Sequence, residues 1–185
     1  MKMKKIVFAI AVAVTAAAVN GASFKWQTTG TPASKTFYGA DGTSTIAGMT
    51  VYLFDAATID QGGLVTALRG GGSISDYTSV ATATLDSDSR LAASTFIYGE
   101  VGTTYSFFMA IVDGDNLFVS AGVSGNAQAS DTPSLSFGGI KAATQNNLGD
   151  AAYSAAGWYT TVPEPTSGIL MLVGLAGLAL RRRRA

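Results

Sequence analysis

Residues 103–112 read TTYSFFMAIV, and this run limits the possible fold more than any other part of the chain. In an extended strand, successive side chains point to opposite faces. Tyr105, Phe107, Met109 and Ile111 then share one face, and Ser106, Phe108, Ala110 and Val112 share the other. Both faces are largely apolar, so neither suits water. Such a strand belongs at the centre of a packed structure, covered on both sides. Asp113-Gly114-Asp115 follows, then NLFVSA at 116–121, which predicts a hairpin around a short Asp-Gly loop.

Other runs support an all-β body. Residues 49–54 (MTVYLF) alternate as a strand should. Residues 78–85 (TSVATATL) and 91–98 (LAASTFIY) flank the turn formers Asp86-Ser87-Asp88-Ser89-Arg90 and are expected to pair. Weaker strands are expected at 24–28 (FKWQT), 135–137 and 157–161 (GWYTT). Trp26 and Trp158 sit near opposite ends of the body. Terminal strands that pair would place them so, and two unrelated core aromatics would do so equally well. One segment reads as helix. In DQGGLVTALR (60–69), Leu64, Ala67 and Leu68 share a face, Asp60 can cap the start, and Gly70-Gly71-Gly72 stops the end. Residues 141–156 are Ala-rich and can hold a helical turn, interrupted by Asn146, Asn147 and Gly149. The expected fold is an antiparallel β-sandwich with one or two short inserted helices. A small β-barrel is the second choice.

Both ends of the 185-residue chain read as addresses rather than as fold. MKMKK is followed by fourteen weakly apolar residues at 6–19 and then by Gly21 and Ala22. That order is a secretory signal peptide, with cleavage by signal peptidase expected after Gly21 or Ala22. An uncleaved anchor is the alternative, but as a helix the run is about 21 Å long against a ~30 Å hydrocarbon core. The division is therefore 1–22 signal peptide, 23–161 body and 162–185 tail. The body holds about 139 residues, a size typical of one domain.

The zero net charge conceals a segregation. Seven of the twelve cations lie in the two ends, and the body keeps five cations against eleven carboxylates. An acidic body gives no basic surface for nucleic acid. The chain has no Cys and no His. Disulfides, the usual zinc ligands, and Ser-His-Asp or Cys-His catalysis are thereby excluded. No cofactor is expected.

The tail has three parts. Pro163 and Pro165 bracket Glu164 and push Val162 and Glu164 away from helical dihedrals, so 162–165 is an extended linker. Thr166 or Ser167 can cap the uncharged run 168–180, GILMLVGLAGLAL, and 166–180 is a transmembrane-type helix. Its thirteen-residue apolar stretch is about 20 Å long, short for a permanent span. Arg181, Arg182, Arg183 and Arg184 close it and would stay on the cytoplasmic side, which puts the body outside. Val162-Pro163-Glu164-Pro165, the apolar helix and the arginine cluster together resemble the PEP-CTERM sorting domain of exported bacterial proteins. The resemblance covers the tail alone. It implies an exosortase as processing partner and the inner membrane as a transient or permanent anchor. It also implies a setting of exopolysaccharide and biofilm. By position, Val162, Pro163, Glu164 and Pro165 would be the recognition motif and the four arginines the topology stop.

In the body, Asp113 and Asp115, with Asp86 and Asp88, are the only clustered carboxylates. Calcium favours such oxygen-rich loops, but turn chemistry explains them as well and no EF-hand pattern is present. Tyr77 and Trp158 are the candidate ligand contacts. The expected function is that of an exported, non-enzymatic structural or adhesive protein of the cell surface or extracellular matrix. A carbohydrate-binding module on the same sandwich is the alternative, and a carboxylate-dependent secreted hydrolase comes third.

Overall fold

The computed structural model of the protein describes residues 21–129, 131–140 and 156–161. Nine strands lie among them: β1 (Gly21–Thr28), β2 (Thr50–Asp55), β3 (Ala81–Thr84), β4 (Ser94–Glu100), β5 (Thr104–Asp113), β6 (Asn116–Val119), β7 (Val123–Asn126), β8 (Ser134–Phe137) and β9 (Gly157–Thr160). Two helices, α1 (Pro32–Lys35) and α2 (Gln61–Arg69), and a 3-10 turn, Ile74–Asp76, complete the set. The strands form two sheets, ordered β4-β1-β8 and β3-β2-β5-β6-β9, with β7 also paired to β5. The all-β sandwich read from the sequence is the fold observed.

β5 is the central strand that its two apolar faces require. Phe107, Met109 and Ile111 enter a core shared with Phe24 and Trp26 of β1 and Leu135 and Phe137 of β8, which fills the space between the sheets. Phe108 and Ala110 enter a second core, where Leu64, Val65 and Leu68 of α2 cover the outer face of the large sheet. The sheets approach closely at β7. A side chain at Gly125 would meet Leu135 Cδ2 at 2.7 Å and Phe24 Cε1 at 3.2 Å, so only glycine fits there.

Helix α2 forms where its termination signals place it. Asp60 Oδ2 accepts from the Gly63 N–H at 2.6 Å, satisfying an N-terminal donor. At the other end Gly71 adopts φ 88°, the Gly71 N–H reaches Leu68 O, and the Gly72 N–H reaches Ala67 O. This pair of bonds is a Schellman motif, and its left-handed residue is why a glycine stands at 71.

β6 and β7 lie end to end along one edge of β5. Their registers, Ala110↔Val119 and Phe107↔Val123, leave Ser120, Ala121 and Gly122 opposite only two residues of β5. The extra residue makes a bulge. The Met109 N–H donates to Ser120 Oγ at 2.8 Å, so a side chain replaces the missing main-chain acceptor. Gln61 Nε2 donates to Ser120 O at 2.8 Å and fixes the start of α2 on the bulge.

Two expectations are corrected, and one open choice is decided. The runs at 78–85 and 91–98 do not pair: β3 joins β2 in the large sheet and β4 joins β1 in the small one. The connecting turn is itself tight, with the Asp86 N–H donating to Arg90 O at 3.0 Å, but the strands diverge beyond it. Asp86 Oδ1 accepts from the N–H groups of Asp88 and Arg90, Ser89 takes φ 54°, and Leu85 and Leu91 are both buried on either side. Leu91 O then accepts from the Thr28 N–H, which hands the chain to β1. Of the two accounts left open for Trp26 and Trp158, that of core aromatics on strands that do not pair is the one observed, since β9 lies against β6. Both indoles belong to the core between the sheets. The sandwich is not wholly antiparallel either, because β1 and β8 run parallel. The turn expected in 141–156 lies outside the described residues, apart from Ala156.

Candidate functional site: the junction between body and tail

The described part of the chain ends on β9, an edge strand held from both faces. Trp158 is 1% exposed in the inter-sheet core, tilted against Phe118 with ring centroids 5.6 Å apart, and its Nε1 donates to Tyr38 O at 3.2 Å. Tyr159, the next residue, is buried in the second core beside α2. Alternation in a strand puts these neighbours on opposite faces, so each core grips the strand once. Beyond β9, the Thr161 N–H donates to Asp115 O at 2.7 Å, in the turn between β5 and β6. Thr161, the last described residue before Val162, is therefore held at a fixed point.

The start of the body lies at the other end of the sandwich. Gly21 and Ala22 open β1, opposite Glu100 and Tyr98. They line a polar concavity of about 380 Å³ with Val101, Gln128 and Asp131. The Gly102 N–H donates to Ala127 O beside it, just before β5 begins. Thr161 lies where β5 ends. The ten residues of β5 span about 30 Å between the two points. Ala22, beside the expected cleavage point, is buried in the inter-sheet core.

The other sequence candidates are dispersed. Trp158 offers no ring face to a ligand; it is a core residue, correcting its reading as a ligand contact. Tyr77 follows the 3-10 turn, where Ser73 and Asp76 cap each other, and is half-buried against the second core. It therefore lies across the large sheet from Trp158. Asp113 pairs with Asn116 at the hairpin end, and Gly114 supplies the left-handed residue of the turn at φ 55°. Asp88 Oδ2 takes Arg90 Nη1 at 3.0 Å. No group of three or more acidic, His or Cys side chains gathers as for a metal among the described residues. An apolar groove of about 290 Å³ runs beside the bulge, lined by Phe118, Val123, Phe137 and Ile140. The hydroxyl of Ser120 at its edge is engaged with Met109 and Ala121.

Two further carboxylates, not among the sequence candidates, are held in defined hydrogen bonds. Asp55 is 4% exposed, with Oδ2 accepting from the Tyr98 hydroxyl and Oδ1 from the Ala57 N–H. Asp41 is exposed, and Oδ1 accepts from the N–H groups of Thr43 and Ser44 at 2.9 and 2.8 Å. The Ser44 hydroxyl and then these two amides hold its carboxyl down at about 2. An Asp two residues ahead of a Thr-Ser pair was the available signal for that turn.

Thr161 is also where a known sequence pattern begins. Residues 161–184 match the PEP-CTERM protein-sorting motif. The motif starts at the residue bonded to Asp115 and runs through all four arginines, so the resemblance of the tail holds. No curated protein and no solved structure matches the chain. The sorting motif makes this an exported protein of the cell surface or exterior, with an exosortase as its processing partner. The apolar run 166–180 lies outside the described residues, and none of the described helices is long and apolar enough to cross a membrane.

Proposed function

We propose that the sandwich is a non-enzymatic structural or adhesive component of the cell surface or extracellular matrix, held at the inner membrane by 166–180 until an exosortase processes the tail. The observation that carries this reading is the continuity of the sorting motif with β9, through Thr161 on Asp115. The linker 162–165 adds only about 12 Å if extended like polyproline. The body would sit close above the membrane with the Asp113–Asn116 turn inward and the start of β1 outward. The absence of His and Cys supports a non-enzymatic body, as does the engagement of Asp41, Asp55, Asp86 and Asp88 in turns and sheet contacts. The carbohydrate-binding alternative is weakened, because its two aromatic candidates lie on opposite sides of a sheet and one is buried.

The test is to change Glu164→Ala together with Pro165→Ala in the native host. Wild-type protein should leave the inner-membrane fraction and the variant should accumulate there with its tail intact. Equal processing of the two would overturn the reading.

A further inference from the structure

β4 is an open edge. It pairs with β1 on one side, and no described strand lies on the other. The hydrogen-bond pattern fixes which groups it presents. The Lys25 N–H donates to Pro133 O, so Lys25 and its alternate neighbours Ser23 and Gln27 turn their main-chain groups toward β8. Ala22, Phe24 and Trp26 then turn theirs toward β4, where they face Tyr98, Phe96 and Ser94. Thr95 and Ile97 therefore direct their N–H and C=O groups outward.

The same strand carries the exposed apolar surface. Ile97 is 74% exposed and Val101, just past the strand, is 44% exposed; they are the exposed large hydrophobic residues among those described. Natural edges are commonly guarded by Lys, Pro or an inward charge. β4 (STFIYGE) has none of these, and its one charge, Glu100, is at the end. Gly99, at φ 64°, turns the edge after Tyr98, which leaves 94–98 as its regular part.

We propose that this edge pairs with β4 of a second copy, antiparallel about a two-fold axis through Phe96, joining two three-stranded sheets into one of six. The strand is complementary to itself in this register. Thr95 and Ile97 of each copy face Ile97 and Thr95 of the other, and their outward groups form four main-chain hydrogen bonds. The exposed Ile97 side chain covers a β-branched neighbour. Phe96, only partly buried in one copy, meets Phe96 of the second copy at a non-hydrogen-bonded position, where side chains come closest. No charge falls within 94–98. Lys25 lies beside Thr95 on the outer face, and the two-fold axis puts the two lysines in different rows, so like charges are not opposed. A single strand edge is a small interface, so association is weak in dilute solution and grows where chains are concentrated on a surface. None of this depends on how the tail is processed.

Sedimentation velocity of the full chain in detergent, from about 1 µM to about 1 mM, tests it over the range expected of a small interface. The wild type should pass from monomer to dimer with concentration. Ile97→Lys should weaken the dimer at least about tenfold, because it replaces the apolar cover of Thr95 with a charged side chain of the kind that guards strand edges. Ile97→Pro removes only an outward N–H, so it should do the same while keeping the β circular dichroism of the wild type. A wild type that stays monomeric throughout would overturn the proposal. So would a folded Ile97→Lys variant that associates as strongly as the wild type, which would assign the contact to another surface such as the tail.

Discussion

The Tyr98 hydroxyl donates to Asp55 Oδ2 at 2.8 Å, and this bond ties the edge strand of the small sheet to the end of β2 in the large one. Tyr98 is half-buried and Asp55 buried, so the pair is a polar tie at the rim of an otherwise apolar interface. Tyr98→Phe should destabilise the fold by about 1.5–3 kcal/mol, the range for hydrogen bonds to a charged group. Urea denaturation at neutral pH measures it.

The same bond sets an alkaline limit. Burial, the hydrogen bond to Asp55 and that carboxylate's charge push the Tyr98 phenol from 10.0 up to about 12. A group with a raised folded-state pKa favours the fold while protonated. Its contribution is complete below about pH 10 and is lost as pH rises toward about 12. Wild type should lose stability across that window more steeply than Tyr98→Phe. Parallel curves would contradict the assignment.

Asp41 predicts the opposite dependence at the acid end. Its carboxyl is held at about 2 rather than 3.8, so the stability it adds is present above about pH 4 and fades as pH falls through about 2. Asp41→Ala should lower the denaturation midpoint at pH 5, and the difference from wild type should close near pH 2. Because the side chain is fully exposed, the effect should be small.

Gly99 should tolerate no side chain. Its φ of 64° is strained for any L residue, and an added Cβ would run into the ring of Tyr105, whose hydroxyl accepts the Glu100 N–H at 2.8 Å. Gly99→Ala should cost about 2–4 kcal/mol, combining backbone strain with overpacking. Gly48→Ala is the comparison, with φ 78° but open space around it. It should cost only the backbone part, about 1–2 kcal/mol.

Trp158→Ala should act as a core deletion, costing about 3–5 kcal/mol. It should also loosen β9 and with it the anchoring of Thr161 on Asp115, seen as faster limited proteolysis near Thr161. Trp158→Phe should cost less, because contact with Phe118 survives and mainly the bond to Tyr38 is lost. Loss of polysaccharide retention in a Trp158→Phe protein of unchanged stability would contradict the core assignment.

The legible parts of this chain are those whose signals are local. The two faces of β5 follow from alternation within one strand, and α2 from a cap and a glycine triplet a turn away from it. The sorting motif is contiguous, so it too can be read directly. Pairing is different, because it depends on residues far apart. Nothing between 78 and 98 reveals that Leu85 and Leu91 both dip into the core and send β3 and β4 to different sheets. β7 (VSGN) has no apolar run and exists because the Ser120 bulge lets the chain follow β5 further. The tie between Asp55 and Tyr98 spans 43 residues and two sheets. Trp158 could be read as exposed or buried until β9 had a partner on each face.

The most direct test of the central claim is the intact mass of the protein from its native host, measured separately for envelope and culture medium. Export and sorting predict a species that has lost the first 21 or 22 residues and the segment beyond the Pro-Glu-Pro motif, recovered outside the inner membrane. A species that retains 168–185 and stays in the inner membrane would contradict the account and make the tail a permanent anchor.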